Sequence, residues 1–159
     1  MGYLIVFSLI LIYILFSISK EDMKTMIISE NKLRMFALSG IFYLICFSLS
    51  NENIYILDLI INNSFYMLII FIILYFISFI SSKIFRIKSL GMGDIKFSSI
   101  SAIWLGIDLC LISLFISFFI SAIYSLHGKI FKSLNPFQQY PFAPFLSIGI
   151  FFSWILDKI

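Results

Sequence analysis

Histidine occurs once in the 159 residues, cysteine twice and proline three times, and only 12% of the residues are charged. Each scarcity excludes a kind of chemistry. A Ser-His-Asp or Cys-His catalytic arrangement would have to use His127, which lies in the polar stretch 127–139 with no Ser or Cys motif around it. A structural zinc site needs four spaced Cys/His ligands. Cys46 and Cys110 each stand alone in an apolar run, with no Cys-x-x-Cys pair, so zinc is excluded and both read as buried structural thiols. A phosphate-binding loop ending in Lys-Ser/Thr is absent, and "GMGDIK" at 91–96 lacks the third glycine and the preceding strand of a dinucleotide fingerprint. Nothing in the chain calls for a metal, a cofactor or nucleic acid, and it has no internal repeat or low-complexity linker.

The shortage of charge decides the class. A soluble domain is about 45–50% apolar and about 25% charged; this chain is 62% hydrophobic with 20 Phe. It has too little polar surface to cover a globule in water, so it reads as an integral membrane protein forming a single domain over 1–159. The opening "MGYLIVFSLILIYILFSISK" lacks a basic n-region and a small-residue cleavage site, and reads as a retained transmembrane helix.

Polar interruptions divide the chain into apolar segments at about 2–19, 35–50, 65–82, 95–106, 109–126 and 140–156. The expected fold is therefore all-α, a six-transmembrane-helix bundle. The stretch 51–64, apolar but broken by Asn, Glu and Asp, is expected to be interfacial or re-entrant. A span needs about 20 residues. The fourth segment offers only about 20 Å of helix, so it dips below the membrane surface or the bilayer thins there. If the N-terminus faces out, ten of the eleven basic residues fall on cytoplasmic loops, and only Lys158 lies outside. That topology puts Asp22 and Asp94 on one cytoplasmic face and Asp58 on the other, which excludes Asp58 from their chemistry. The basic loops suit anionic lipid headgroups.

Taken alone, Asp94 reads as a helix N-cap preceded by a turn at Gly91 and Gly93. Asp22 taken alone is an interfacial acid partnered by Lys20 or Lys24, with Glu21 and Glu30 as competitors for any role. Together they suggest more. Two carboxylates held close share one proton, because both cannot ionise. The ionised member then activates water, while the protonated one hydrogen-bonds the scissile carbonyl and assists the leaving amine. That is peptide hydrolysis without metal or covalent intermediate, with Gly93 letting backbone approach the substrate. Lys96, two residues from Asp94, points elsewhere on a helix and reads as a contact for headgroups or substrate.

Three stretches resemble one family, the type IV prepilin peptidases, membrane aspartyl proteases of the Gly-x-Gly-Asp class: "DMKTMIISENKL" from Asp22, "GMGDIKF", and "YPFAPFLSIG". The resemblance covers essentially the whole chain, with the motifs in the expected order. It implies that Asp22 and Asp94 are the catalytic pair, with Gly91, Gly93 and Lys96 as motif support. It also implies that the substrate is a prepilin or pilin-like protein, cut on the cytoplasmic side after a basic leader ending in Gly. Ser29 replaces the family's proline in the first motif, and the following Asn corresponds to Glu30 or Asn31. The Cys-x-x-Cys insertion associated with N-methylation in large members has no counterpart, so peptidase activity alone is expected. Pro141 and Pro144 read as the entry of the last helix. Signal-peptide-peptidase and presenilin patterns fit poorly, since Tyr13 is far from Asp22 and no Pro-Ala-Leu occurs. The rival of another class is a non-catalytic small transporter or assembly subunit.

Overall fold

The computed structural model describes residues 2–50, 55–85, 90–131 and 140–158, and every regular element among them is an α-helix. The helices are α1 (Gly2–Thr25), α2 (Glu30–Leu49), α3 (Ile56–Phe85), α4 (Met92–Ile130) and α5 (Ala143–Leu156). The first four are long and apolar enough to cross a membrane; α5 is shorter. The all-α membrane class stands, with five helices where six were expected.

The missing boundary lies inside α4. Gly106 sits at φ 72° and ψ −177°, a region that only glycine occupies readily. Cys110 Sγ donates to the Ser98 carbonyl at 3.7 Å and meets Ser101 Oγ at 3.4 Å. In a straight helix, residues 98 and 110 would be about 18 Å apart. The chain therefore turns back at Gly106, and the arms 92–105 and 107–130 pack on each other. The short fourth and long fifth segments are these two arms of one helix.

The stretch expected to be interfacial or re-entrant is continuous with the next helix where it is described. Residues 51–54 lie outside the described residues, but 56–64 are the first turns of α3. Their polar groups do not stop the helix. Asp58 falls in the first turn, where the dipole favours it. Asn63 Nδ2 donates to the Ile103 carbonyl at 3.2 Å, one of the last-turn carbonyls that a helix end leaves without an internal partner.

α1 runs on to Thr25 through Lys20, Glu21 and Asp22, because nothing in that stretch breaks a helix. It stops at Met26, whose φ of 52° turns the chain, with the Met26 N–H still bonded to the Asp22 carbonyl at 2.8 Å. Residues 27–29 have no regular structure, Ser29 is extended, and α2 starts after it. The expected polar loop 20–34 is thus mostly helix.

α4 packs against α2, α3 and α5, while α1 packs against α2 and α5 and brings no Cα within 8 Å of α4. Small residues allow the close α4–α5 approach: a Cβ on Gly149 would collide with Ser117 Oγ and the Ser113 carbonyl. An aromatic core holds the end of the bundle near Gly106. Trp104 stacks between Phe36 and Tyr43, at centroid distances of 5.8 and 5.6 Å, and its Nε1 donates to the Phe36 carbonyl.

Candidate active site

At the other end of the bundle, Asp22 lies near the end of α1 and is only 4% exposed. Its Oδ2 accepts the Ala143 N–H at 2.9 Å, and the Phe142 N–H also donates toward it. These are the free amides at the start of α5, which need an acceptor and favour negative charge. The Pro-Phe-x-Pro-Phe stretch therefore does more than open a helix. It aims two backbone amides at the carboxylate of Asp22, a role the sequence reading missed. No cation pairs with Asp22 among the described residues.

Asp94 is half-buried in the first turn of α4. The cap position belongs to Gly91, not to Asp94 as expected. Asp94 is the third helical residue, and its carboxylate reaches back to the Gly91 N–H, the reciprocal arm of a capping box. A side chain at 91 would crowd it, since a Cβ there would stand 3.1 Å from Asp94 Oδ2. The charge on Asp22 acts on Asp94, so the two carboxyls share one end of the bundle within electrostatic reach. No hydrogen bond joins them among the described residues, and their helix backbones stay more than 8 Å apart.

The other motif residues have defined partners. Gly93 lies where the linker passes: a Cβ on it would be 3.3 Å from Ile28 Cβ, and Ile28 is buried at 8% exposure. The close approach the sequence reading assigned to substrate is made here by the chain's own linker. Glu21 Oε2 accepts the Ser29 N–H at 3.2 Å and pairs with Lys32 at 3.5 Å, while Lys32 Nζ donates to the Ser17 carbonyl at 2.7 Å. Lys96 pairs with Glu30 at 2.6 Å, tying α4 to α2. The two acids that competed with Asp22 are thus committed to lysines. Asp58 starts α3, whose Asn63 is bonded beside Gly106, away from Asp94.

One turn from each aspartate lies a buried serine. Ser19 hydrogen-bonds Ser147 of α5 at 2.7 Å. Ser98 is 1% exposed, and its Oγ has no partner among the described residues. Their spacing of three or four residues from Asp22 and Asp94 was the available signal. Among the described residues, no three His, Cys, Asp or Glu side chains gather into a metal-binding group.

The sequence model described as the type IV leader peptidase family matches residues 9–126, a span that includes Asp22, Gly91, Gly93, Asp94 and Lys96 and ends before α5. No curated protein and no solved structure matches the chain.

Proposed function

The chain belongs to the type IV leader peptidase family, and from that premise we propose that it is an aspartyl endopeptidase whose dyad is Asp22 and Asp94. Its substrate is a prepilin or pilin-like precursor, from which it removes a basic leader ending in glycine at the cytoplasmic membrane face. The observation that carries this reading is that two carboxylates from separate helices lie at one end of the bundle, near enough for the charge on Asp22 to act on Asp94. Neither is neutralised by a lysine or arginine among the described residues.

The chemistry follows from one shared proton. The ionised carboxylate takes a proton from a water molecule as the water oxygen attacks the scissile carbonyl carbon. The protonated carboxyl hydrogen-bonds the carbonyl oxygen, where negative charge develops. Collapse of the tetrahedral species breaks the C–N bond, and a proton passes from the dyad to the leaving amine. The amides of Phe142 and Ala143 hold Asp22 in place through these steps, and the Gly91 N–H holds Asp94. The separation of the helix backbones suits a pair that admits water and substrate between its carboxyls.

The cytoplasmic placement is supported by the basic residues that crowd the sequence around Asp22 and Asp94. Peptidase activity without N-methylation is supported by the short connection 26–29, which leaves no room there for a Cys-x-x-Cys insertion. The test is cleavage of a co-expressed prepilin-like precursor by Asp22→Asn and Asp94→Asn. Each replacement is nearly isosteric and cannot ionise, so each is expected to reduce the rate by about 10²–10⁴. Wild-type cleavage by either variant rejects the dyad, and absence of cleavage by the wild type favours a non-catalytic membrane subunit.

A further inference from the structure

A groove of about 470 Å³ opens between α2 and α3 and is floored by the first arm of α4. Neither Asp22 nor Asp94 lines it. Its polarity runs one way. Glu30, Arg34 and Lys96 stand at its mouth, within the first two turns of α2 and α4. Below them the walls are Leu33, Ala37, Met67, Leu68, Phe71 and Ile100. Glu30 and Lys96 neutralise one another. Arg34 is exposed and hydrogen-bonds the uncharged side chain of Asn31. It has no carboxylate within ion-pair distance among the described residues. The mouth therefore carries one net positive charge above a hydrocarbon slot.

We propose that this groove binds an anionic glycerophospholipid of the bilayer, with its phosphate on Arg34 and one acyl chain in the slot against Ala37 and Phe71. The lining argues for a hydrocarbon chain: the groove follows α2 from Glu30 to Ala37, two helical turns, and below its charged mouth every lining side chain but Ser99 is apolar. The charge argues for an anionic headgroup over a zwitterionic one. A phosphate meets there a guanidinium with no ion pair among the described residues, a group that binds phosphate bidentately, and basic pockets between membrane helices are suited to acidic headgroups.

The experiment is native mass spectrometry of the purified full chain in detergent, titrated with phosphatidylglycerol or with phosphatidylcholine of the same acyl composition. The wild type should retain phosphatidylglycerol preferentially. Arg34→Gln should lose about fivefold of that preference, the effect of one basic residue near a headgroup. Ala37→Phe, which fills the slot, should weaken both lipids alike. Lys24→Gln, exposed at the end of α1 and outside the groove, should change nothing. Equal retention of the two lipids by the wild type, or the same loss in Lys24→Gln as in Arg34→Gln, overturns the proposal. So does capture of a prepilin-like peptide by a photo-crosslinker at position 37 with displacement of the phospholipid, which would make the groove a substrate path.

Discussion

Ile28 packs against the backbone of Gly93, its Cβ 3.3 Å from where a side chain on residue 93 would begin. The contact joins the linker after the Asp22 helix to the turn that carries Asp94. A methyl group at 93 must push the linker away from α4 by a few tenths of an ångström, and small misplacements of catalytic groups are costly. Gly93→Ala should therefore lower kcat/KM on a precursor by about tenfold, equivalent to ~1.4 kcal/mol. Adding Ile28→Gly, which removes the Cβ that a side chain at 93 would meet, should restore part of that loss. A double variant as slow as Gly93→Ala, or slower, would show that the second glycine acts in some other way.

Asp22 has a structural duty as well as its proposed chemical one, and two substitutions separate them. Asp22→Asn keeps an oxygen that can accept the Ala143 N–H, so stability should change by less than about 1 kcal/mol while cleavage is lost. Asp22→Ala leaves the buried start of α5 without its acceptor, which costs about 1–3 kcal/mol. Unfolding in a graded detergent mixture would compare them. Equal stability of the two variants would mean that the amides of α5 do not depend on Asp22.

Ser29 occupies a position with φ −70° and ψ 139°, a geometry proline adopts without strain. The obstacle is its N–H, which is donated to Glu21. Ser29→Pro gains about 0.4–1 kcal/mol from a stiffer unfolded chain and loses a hydrogen bond to a charged group, worth about 1.5–3 kcal/mol. The bond is partly exposed, so the loss lies toward the low end, and mild destabilisation is expected. In a Glu21→Ala background there is no bond to lose, and the same Ser29→Pro change should stabilise. A double-mutant cycle measured by unfolding should show this change of sign.

Lys158 supplies a pH dependence away from the site. Burial pulls its pKa down, but hydrogen bonds to Asp157 and to Tyr43 Oη outweigh it and leave the ammonium above its usual 10.5. A raised folded pKa stabilises fully below the unfolded value, and that contribution fades as pH rises through the folded value. Wild-type stability should therefore fall in alkali above about pH 10.5 more steeply than that of Lys158→Met. Identical alkaline profiles would remove Lys158 from the account.

Much of this was legible in the sequence, for reasons that also explain where reading failed. Membrane class, helical content and the family motifs follow from composition and from short local patterns around Asp22 and Asp94. Helix ends do not, because charge in an apolar chain reads as loop. Glu21 and Asp22 continue α1, and Asp58 and Asn63 begin α3, since Glu21, Asp22 and Asn63 find partners supplied by other segments and Asp58 suits the helix dipole. The cap passed from Asp94 to Gly91 because both positions fit the pattern and only the backbone decides between them. The service of Ala143 to Asp22 spans 121 residues, and no local pattern encodes a contact of that range.

Gly106 is the residue on which the arrangement of α4 turns. The sequence reading placed a boundary at Gly106 without the conformation that makes glycine necessary. A Cβ there would meet nothing within 4 Å, so space is not the reason; the φ of 72° is. With ψ at −177°, a side chain costs about 1–3 kcal/mol of backbone strain. Gly106→Ala should lower stability by that amount and weaken the packing of Cys110 against Ser98 and Ser101. Increased labelling of Cys110, buried in the wild type, by a maleimide would report the opening. An unchanged stability together with an unreactive Cys110 would mean that the two arms hold together without the turn.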